Sequence, residues 1–257
     1  MVEIALCIAV VAFALVAILG VMPTGLQVQK DNREDTIINQ DASFWLEALR
    51  SGAKGMDELT NYVDRITFKR TERDGRFSRS DFLPGTGGPR TFTSGLEIIG
   101  LLSVPKYELE STGWVTNSVM AYVRAFSGSA ADKPDGTNNA ATKAVAFGYR
   151  LTSEIVPYNP MSQLFTNIYK GKTDLDKTNR YELWRRAMNL QDNFHEIRLT
   201  MDWPLTPGPD NTIIVGGRHK VIATIAPGAM VSTNILPSSR QLGRLYWIQP
   251  SIFVQAK

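Results

Sequence analysis

Cysteine is almost missing from this chain: Cys7 is the only one among 257 residues. No intramolecular disulfide can form, and a lone thiol fits a reducing or an oxidising compartment equally well. Histidine is nearly as scarce, with His195 and His219 alone. Neither belongs to an HExxH pattern, and the chain has no GxSxG nucleophile elbow and no GxxxxGK[ST] phosphate loop. The Gly85–Gly88 stretch resembles a phosphate loop in composition only, because no Lys-Ser/Thr pair and no helix start follow it. With these constellations missing, the sequence reads as something other than an enzyme. Neither sign of charge dominates: 28 basic residues face 25 acidic ones, mixed along the whole chain, and the net charge of +3 gives no argument for a nucleic-acid partner. No internal repeat is visible.

The most telling absence is local. Residues 4 to 29 carry no charge at all, and Ile4 to Met22 has no strongly polar side chain. The mean hydropathy of the whole chain, -0.14, hides this asymmetry. At about 1.5 Å per residue such a run spans roughly 30 Å as a helix, the thickness of a bilayer's hydrocarbon core. A secretory signal peptide would bring a basic leader, a shorter apolar core and a small-x-small cleavage site. No Lys or Arg precedes this run, and Met22-Pro23-Thr24-Gly25 does not read as a cleavage site. The run is therefore expected to be a retained membrane helix. Ala5, Ala9, Ala12, Ala14, Ala17 and Gly20 would let another helix approach closely in an apolar medium.

Pro23 and Gly25 predict a kink or a melted turn at the end of the run. Beyond them Ile37, Ile38, Asp41, Trp45, Leu46 and Leu49 recur at three- and four-residue spacing, so Asp31 to Arg50 is expected to be helical and amphipathic, stopped at Gly52 and Gly55. The organisation expected is an apolar helix over 1–29, its amphipathic continuation over 30–55, and a globular α+β head over 56–257.

Glu3 is the one charge at the mouth of the apolar run. Val2-Glu3-Ile4-Ala5-Leu6, followed by Ile8-Ala9-Val10-Val11-Ala12-Phe13, resembles the N-terminal signature of type IV pilins and of type II secretion pseudopilins. In that family a glutamate at the fifth mature position precedes about twenty apolar residues. Here the glutamate stands third, with no cleavage glycine or basic leader before it. That fits a chain beginning two residues inside the mature protein, or an atypical mature terminus at Met1. The resemblance covers about residues 1 to 50.

It implies a pilin-like α+β fold, in which the long helix, broken near Pro23, packs on a C-terminal antiparallel sheet. It also implies an inner-membrane precursor and then an extracellular or periplasmic filament of copies of this chain or related pilins, built by the pilus assembly machinery without any need for nucleic acid. Three residues are implied in filament assembly: Glu3, neutralising a neighbour's terminal ammonium and setting the stagger, and Pro23 and Gly25, giving the helix flexibility. The plainer physical reading of Glu3 is an interfacial carboxylate favoured by the helix dipole, which accounts for its tolerance in the membrane and nothing more. A calcium ion held by a C-terminal loop, as in some pseudopilins, would draw on Asp174 and Asp176, whereas a solvated helix-capping loop accounts for them without an ion. The alternative to a filament subunit is a single-pass membrane-anchored extracytoplasmic protein that binds a ligand.

After residue 56 the patterns are shorter. Asp57 to Phe68 reads as helical, 69–95 as a long polar surface loop and Ser94 to Leu102 as a short helix. Period-two alternation marks Val145 to Ile155 and, most clearly, Ile197, Leu199, Met201 and Trp203 against Glu196, Arg198, Thr200 and Asp202. Val115–Phe126, Arg218–Ile225 and Leu245–Val254 complete about five expected strands, with 194–225 a hairpin joined by a long turn from Pro204 to Gly217. Helices are expected over Gln163–Tyr169 and Arg180–Leu190. His195 and His219 fall on the two hairpin strands, where a surface pair is a better reading than a metal site lacking a third ligand. Lys69-Arg70, Arg185-Arg186 and Arg218-His219-Lys220 are scattered cations, a basic strip only if the fold gathers them. Trp184, Trp203, Tyr246 and Trp247 are expected in the core or between subunits.

Overall fold

Alternation of apolar and polar side chains dominates the chain beyond residue 62, and strands follow from it. The computed structural model describes residues 2–52, 55–85, 90–110, 113–127, 147–158, 174–208, 212–233 and 245–255. In chain order these form α1 (Val2–Ser51), a 3-10 turn (Asp57–Asn61), β1 (Val63–Thr71), β2 (Phe77–Pro84), β3 (Thr91–Phe92), α2 (Gly95–Leu102), β4 (Tyr107–Glu110), β5 (Gly113–Arg124), β6 (Gly148–Pro157), α3 (Asp174–Asn193), β7 (Phe194–Pro207), β8 (Ile213–Pro227), β9 (Ala229–Thr233) and β10 (Leu245–Gln249). The fold is α+β, with a long N-terminal apolar helix and a mostly antiparallel sheet. Two compact units divide at Gln40/Asp41, Met1–Gln40 and Asp41–Lys257.

In the second unit the sheet runs β3-β2-β1-β5-β6-β7-β8, with β4 paired to one end of β5. All its pairings are antiparallel except the two-residue β2–β3 contact. One face is buried: Val115, Val119, Ala121 and Val123 of β5, Tyr149, Leu151 and Ile155 of β6, and Ile197, Leu199, Met201 and Trp203 of β7. A register shift between Val63 and Arg65 lets Val63 and Ile66 both reach the core. Ala42, Trp45, Ala48 and Leu49 from the end of α1, and Ile98, Ile99, Leu101 and Leu102 of α2, belong to the same core.

Helix α2 starts at Ser94, whose hydroxyl accepts from Glu97 N (3.3 Å), while the Glu97 carboxylate accepts from Thr93 N (2.7 Å). This reciprocal arrangement satisfies donors that a helix N-terminus leaves open. Gly95 and Gly100 are required by contact. A Cβ on Gly95 would lie 1.9 Å from the Met56 carbonyl oxygen, and one on Gly100 would lie 2.8 Å from the Trp247 ring. The small sheet of β9 and β10 lies beside α2, tied by Trp247 Nε1 donating to Leu96 O (3.0 Å).

Several expectations are corrected here. Residues 57–68 are a short 3-10 turn followed by a strand, and the expected loop over 69–95 is largely the β1–β2 hairpin, turned at Gly75 (φ +85°). Lys69, Arg79 and Asp81 stand on one face of this strand pair, and composition alone does not separate such a charged face from a loop. The β7–β8 ladder continues to Pro207 and Ile213, so the connection is much shorter than Pro204–Gly217. Arg180–Leu190 lies inside the longer α3; Gln163–Tyr169 lies outside the described residues.

In the first unit α1 is helical without interruption from Val2 onward, through Pro23 and Gly25. The expected break near Pro23 is absent. Staying helical forfeits one backbone bond, whereas melting a turn forfeits several, and helix formation is cooperative. The Thr24 hydroxyl donates to Val21 O at 2.6 Å, one turn back along the same helix. Further along, Gln27 Nε2 donates to Asp31 (3.0 Å) and Lys30 pairs with Glu34 (3.9 Å), both at i,i+4.

Candidate functional site

Two features stand out, one in each unit. The first is the apolar half of α1. Each of the fifteen Val, Ile, Leu, Met and Phe side chains from Val2 to Val28 is more than half exposed, from 54% at Leu15 to 80% at Val2. An 18-residue window here has a mean hydropathy of 3.1, and this is the one helix among the described residues long and apolar enough to cross a membrane.

Glu3 lies exposed in the first turn of the helix. Pro23 is twenty residues further on, roughly 30 Å along the axis, so Glu3 does not form one site with Pro23 and Gly25. A Cβ built on Gly20 or Gly25 meets nothing within 4 Å, so a single chain has no packing need for glycine at either place. Cys7 is exposed on the same stretch.

The second feature is a buried polar cluster that sequence reasoning missed. Asp41 is fully buried. Its carboxylate accepts from the Ser127 hydroxyl, from Phe126 N (3.3 Å) and from the Tyr149 hydroxyl, which in turn accepts from Trp45 Nε1 (2.8 Å). The Phe126 ring lies edge-on to Phe44 and Trp45 beside the cluster. Burial raises the Asp41 carboxyl above the ordinary carboxylate range, and its hydrogen bonds pull partly back. Burial, reinforced by the Asp41 charge, raises the Tyr149 phenol well above its usual value. The cluster clamps one turn of α1 to the ends of β5 and β6. Its signal in the sequence was an acidic residue within an apolar helical stripe, which is costly unless partnered.

The remaining candidates separate. His195 lies opposite Ala226 and His219 opposite Asp202, so the two histidines do not face each other. His195 is buried, which lowers its pKa, while His219 is exposed. Asp174 and Asp176 fall in the first turn of α3, not in a loop. Among the described residues no group of three or more His, Cys, Asp or Glu could hold a metal ion. The cationic stretches lie on β1, α3 and β8, with β5, β6 and β7 between β1 and β8 in the sheet.

Trp203, Tyr246 and Trp247 are buried and Trp184 is half-buried. Trp114 is 60% exposed instead, opposite the likewise exposed Leu109.

No family model, curated protein or solved structure matches this chain. Its function has to be argued from its own residues.

Proposed function

We propose that this chain is the structural subunit of a helical filament of the type IV pilus or pseudopilus kind, anchored in a membrane by the apolar half of α1 and assembled by packing those helices together. The observation that carries the reading is the unbroken helix that leaves fifteen large apolar side chains uncovered from Val2 to Val28, continuous with a segment built into a folded head. Removing one such side chain from water is worth about 1.5–3 kcal/mol, so the segment as a whole disfavours water by tens of kcal/mol. Lipid relieves that cost before assembly and neighbouring helices relieve it afterwards. Small residues on the helix, including Gly20 and Gly25 with no neighbour of their own, support close approach by other copies.

Glu3 then sets the axial register. A carboxylate entering a dry helix bundle is tolerated when it meets a neighbour's ammonium, and such a pair selects one stagger more than it adds stability. Mature filaments would lie outside the membrane that holds the precursor.

The test is Glu3→Ala, followed in membranes and in sheared surface material by electron microscopy. Membrane insertion is expected to persist and filament incorporation to be lost. Normal filaments from the variant would overturn the role of Glu3, and a native chain never found in filaments would favour a single-pass anchored binding protein.

A further inference from the structure

Among the described residues strand β8 is the last strand on its side of the eight-stranded sheet. Its free edge has a definite polarity. Gly228 N donates to Asn193 O at 2.8 Å, in line with the register that sets Phe194 opposite Pro227. Bonded pairs recur at every second residue of an antiparallel ladder, so Arg218, Lys220, Ile222, Thr224 and Ala226 turn their backbone groups to β7. The bond from Tyr158 N to Phe194 O (2.8 Å) fixes the same parity from the other side of β7. His219, Val221, Ala223 and Ile225 therefore point their backbone groups away from the sheet.

Among the described residues no strand pairs with that edge. All four side chains are exposed, Val221 at 53% and Ile225 at 45%. From Val221 to Ala226 the edge has no proline, no charge and no register shift, the devices that usually guard a free edge.

We propose that this edge is self-pairing: a second copy of this chain adds its own β8 antiparallel, about a two-fold axis at Ile222, and joins the two sheets into one. The occupant follows from the charge pattern. Arg218, His219 and Lys220 are followed by an uncharged stretch from Val221 to Pro227. Antiparallel pairing at Ile222 sets Val221 against the partner's Ala223 as a bonded pair, His219 against the partner's Ile225, and Lys220 against the partner's Thr224. Each cationic stretch then meets an uncharged one, and the two Lys220 residues stand four residues apart, roughly 13 Å along the strand. Parallel pairing would oppose like charges. An acidic peptide would suit the cationic end and leave the apolar end unmatched. A two-fold contact of this kind is isologous and closes on itself.

The contact does not depend on the filament reading and is tested on the detergent-solubilised full chain in a Cys7→Ser background. Mixing Val221→Cys with Ala223→Cys chains and adding a short thiol-to-thiol cross-linker is expected to give a linked dimer in higher yield than either variant alone, since the Cβ atoms of a bonded antiparallel pair stand about 5.5 Å apart, beyond a direct disulfide and within reach of the linker. Ala223→Pro removes an outward N–H and no bond to β7. It is expected to weaken self-association roughly tenfold while head melting is retained. If that proline unfolds the head, Val221→Lys decides, because it changes only an exposed side chain and is expected to abolish the dimer. A chain monomeric at every concentration, a dimer indifferent to both variants, or a cross-link to some other protein would overturn the proposal. Glu3→Ala is expected to leave this dimer intact, which separates its failure from failure of the filament reading.

Discussion

The two halves of α1 obey opposite rules. From Val2 to Val28 the large apolar side chains are uncovered on every side of the helix, while in the last turns Ala42, Trp45, Ala48 and Leu49 are buried and Ser43, Glu47 and Arg50 are exposed. The second half has found its solvent inside the protein, and the first half must find it in something else. A residue's contribution to stability is therefore local to its half: identical chemistry costs kilocalories at one end and nothing measurable at the other, so long as the protein is studied as a single copy in detergent.

Trp45→Ala would break the head most severely. A fully buried indole that also donates to Tyr149 is lost, costing about 3–5 kcal/mol. Head melting followed by calorimetry should fall by roughly 10 °C or more. Gly95→Ala comes next, at about 1–3 kcal/mol, because the new methyl needs space held by the Met56 backbone.

The buried ionisable groups give smaller, pH-dependent effects of opposite sign. Asp41 has a folded-state pKa above its ordinary value of 3.8, so its contribution is fully present below that value and is lost as the pH rises through the folded pKa. The melting temperature of the native chain minus that of Asp41→Asn should therefore fall with rising pH across that window. His195 is depressed below 6.5 by burial, so its contribution is present above 6.5 and lost as the pH falls through the folded pKa. The corresponding difference against His195→Gln should fall on acidification.

At the far end of the scale stands Leu15→Ala. Its side chain is 54% exposed, and head melting should shift by less than about 1 °C. A large shift there would erase the distinction between the two halves.

What could be read from the sequence followed the same physics. Strands β6 and β7 were legible because one buried face and one wet face force alternation, and the buried Tyr149, Leu151 and Ile155 and Ile197 to Trp203 fall where that alternation placed them. Strand β10 departs from it: Leu245, Tyr246, Trp247 and Ile248 are all buried, so no period of two exists to be read. The β1–β2 hairpin was hidden by its charged outer face. Asp41 was counted as one position of an apolar stripe, because pattern matching registers spacing and ignores whether a carboxylate at that spacing needs partners, here supplied by residues more than eighty positions away. Pro23 was over-read: the loss of one backbone bond does not end a helix that continues for many residues on both sides of it.

Cys7 gives the native chain a built-in chemical reporter. It is the sole thiol, and it sits within the uncovered stretch of α1. Alkylation proceeds through the thiolate, which forms in water and not in hydrocarbon. A charged maleimide should thus label unfolded chains readily and leave membrane-embedded ones untouched, and the rate at which Cys7 escapes protection in a given preparation would measure how often that part of the helix meets water.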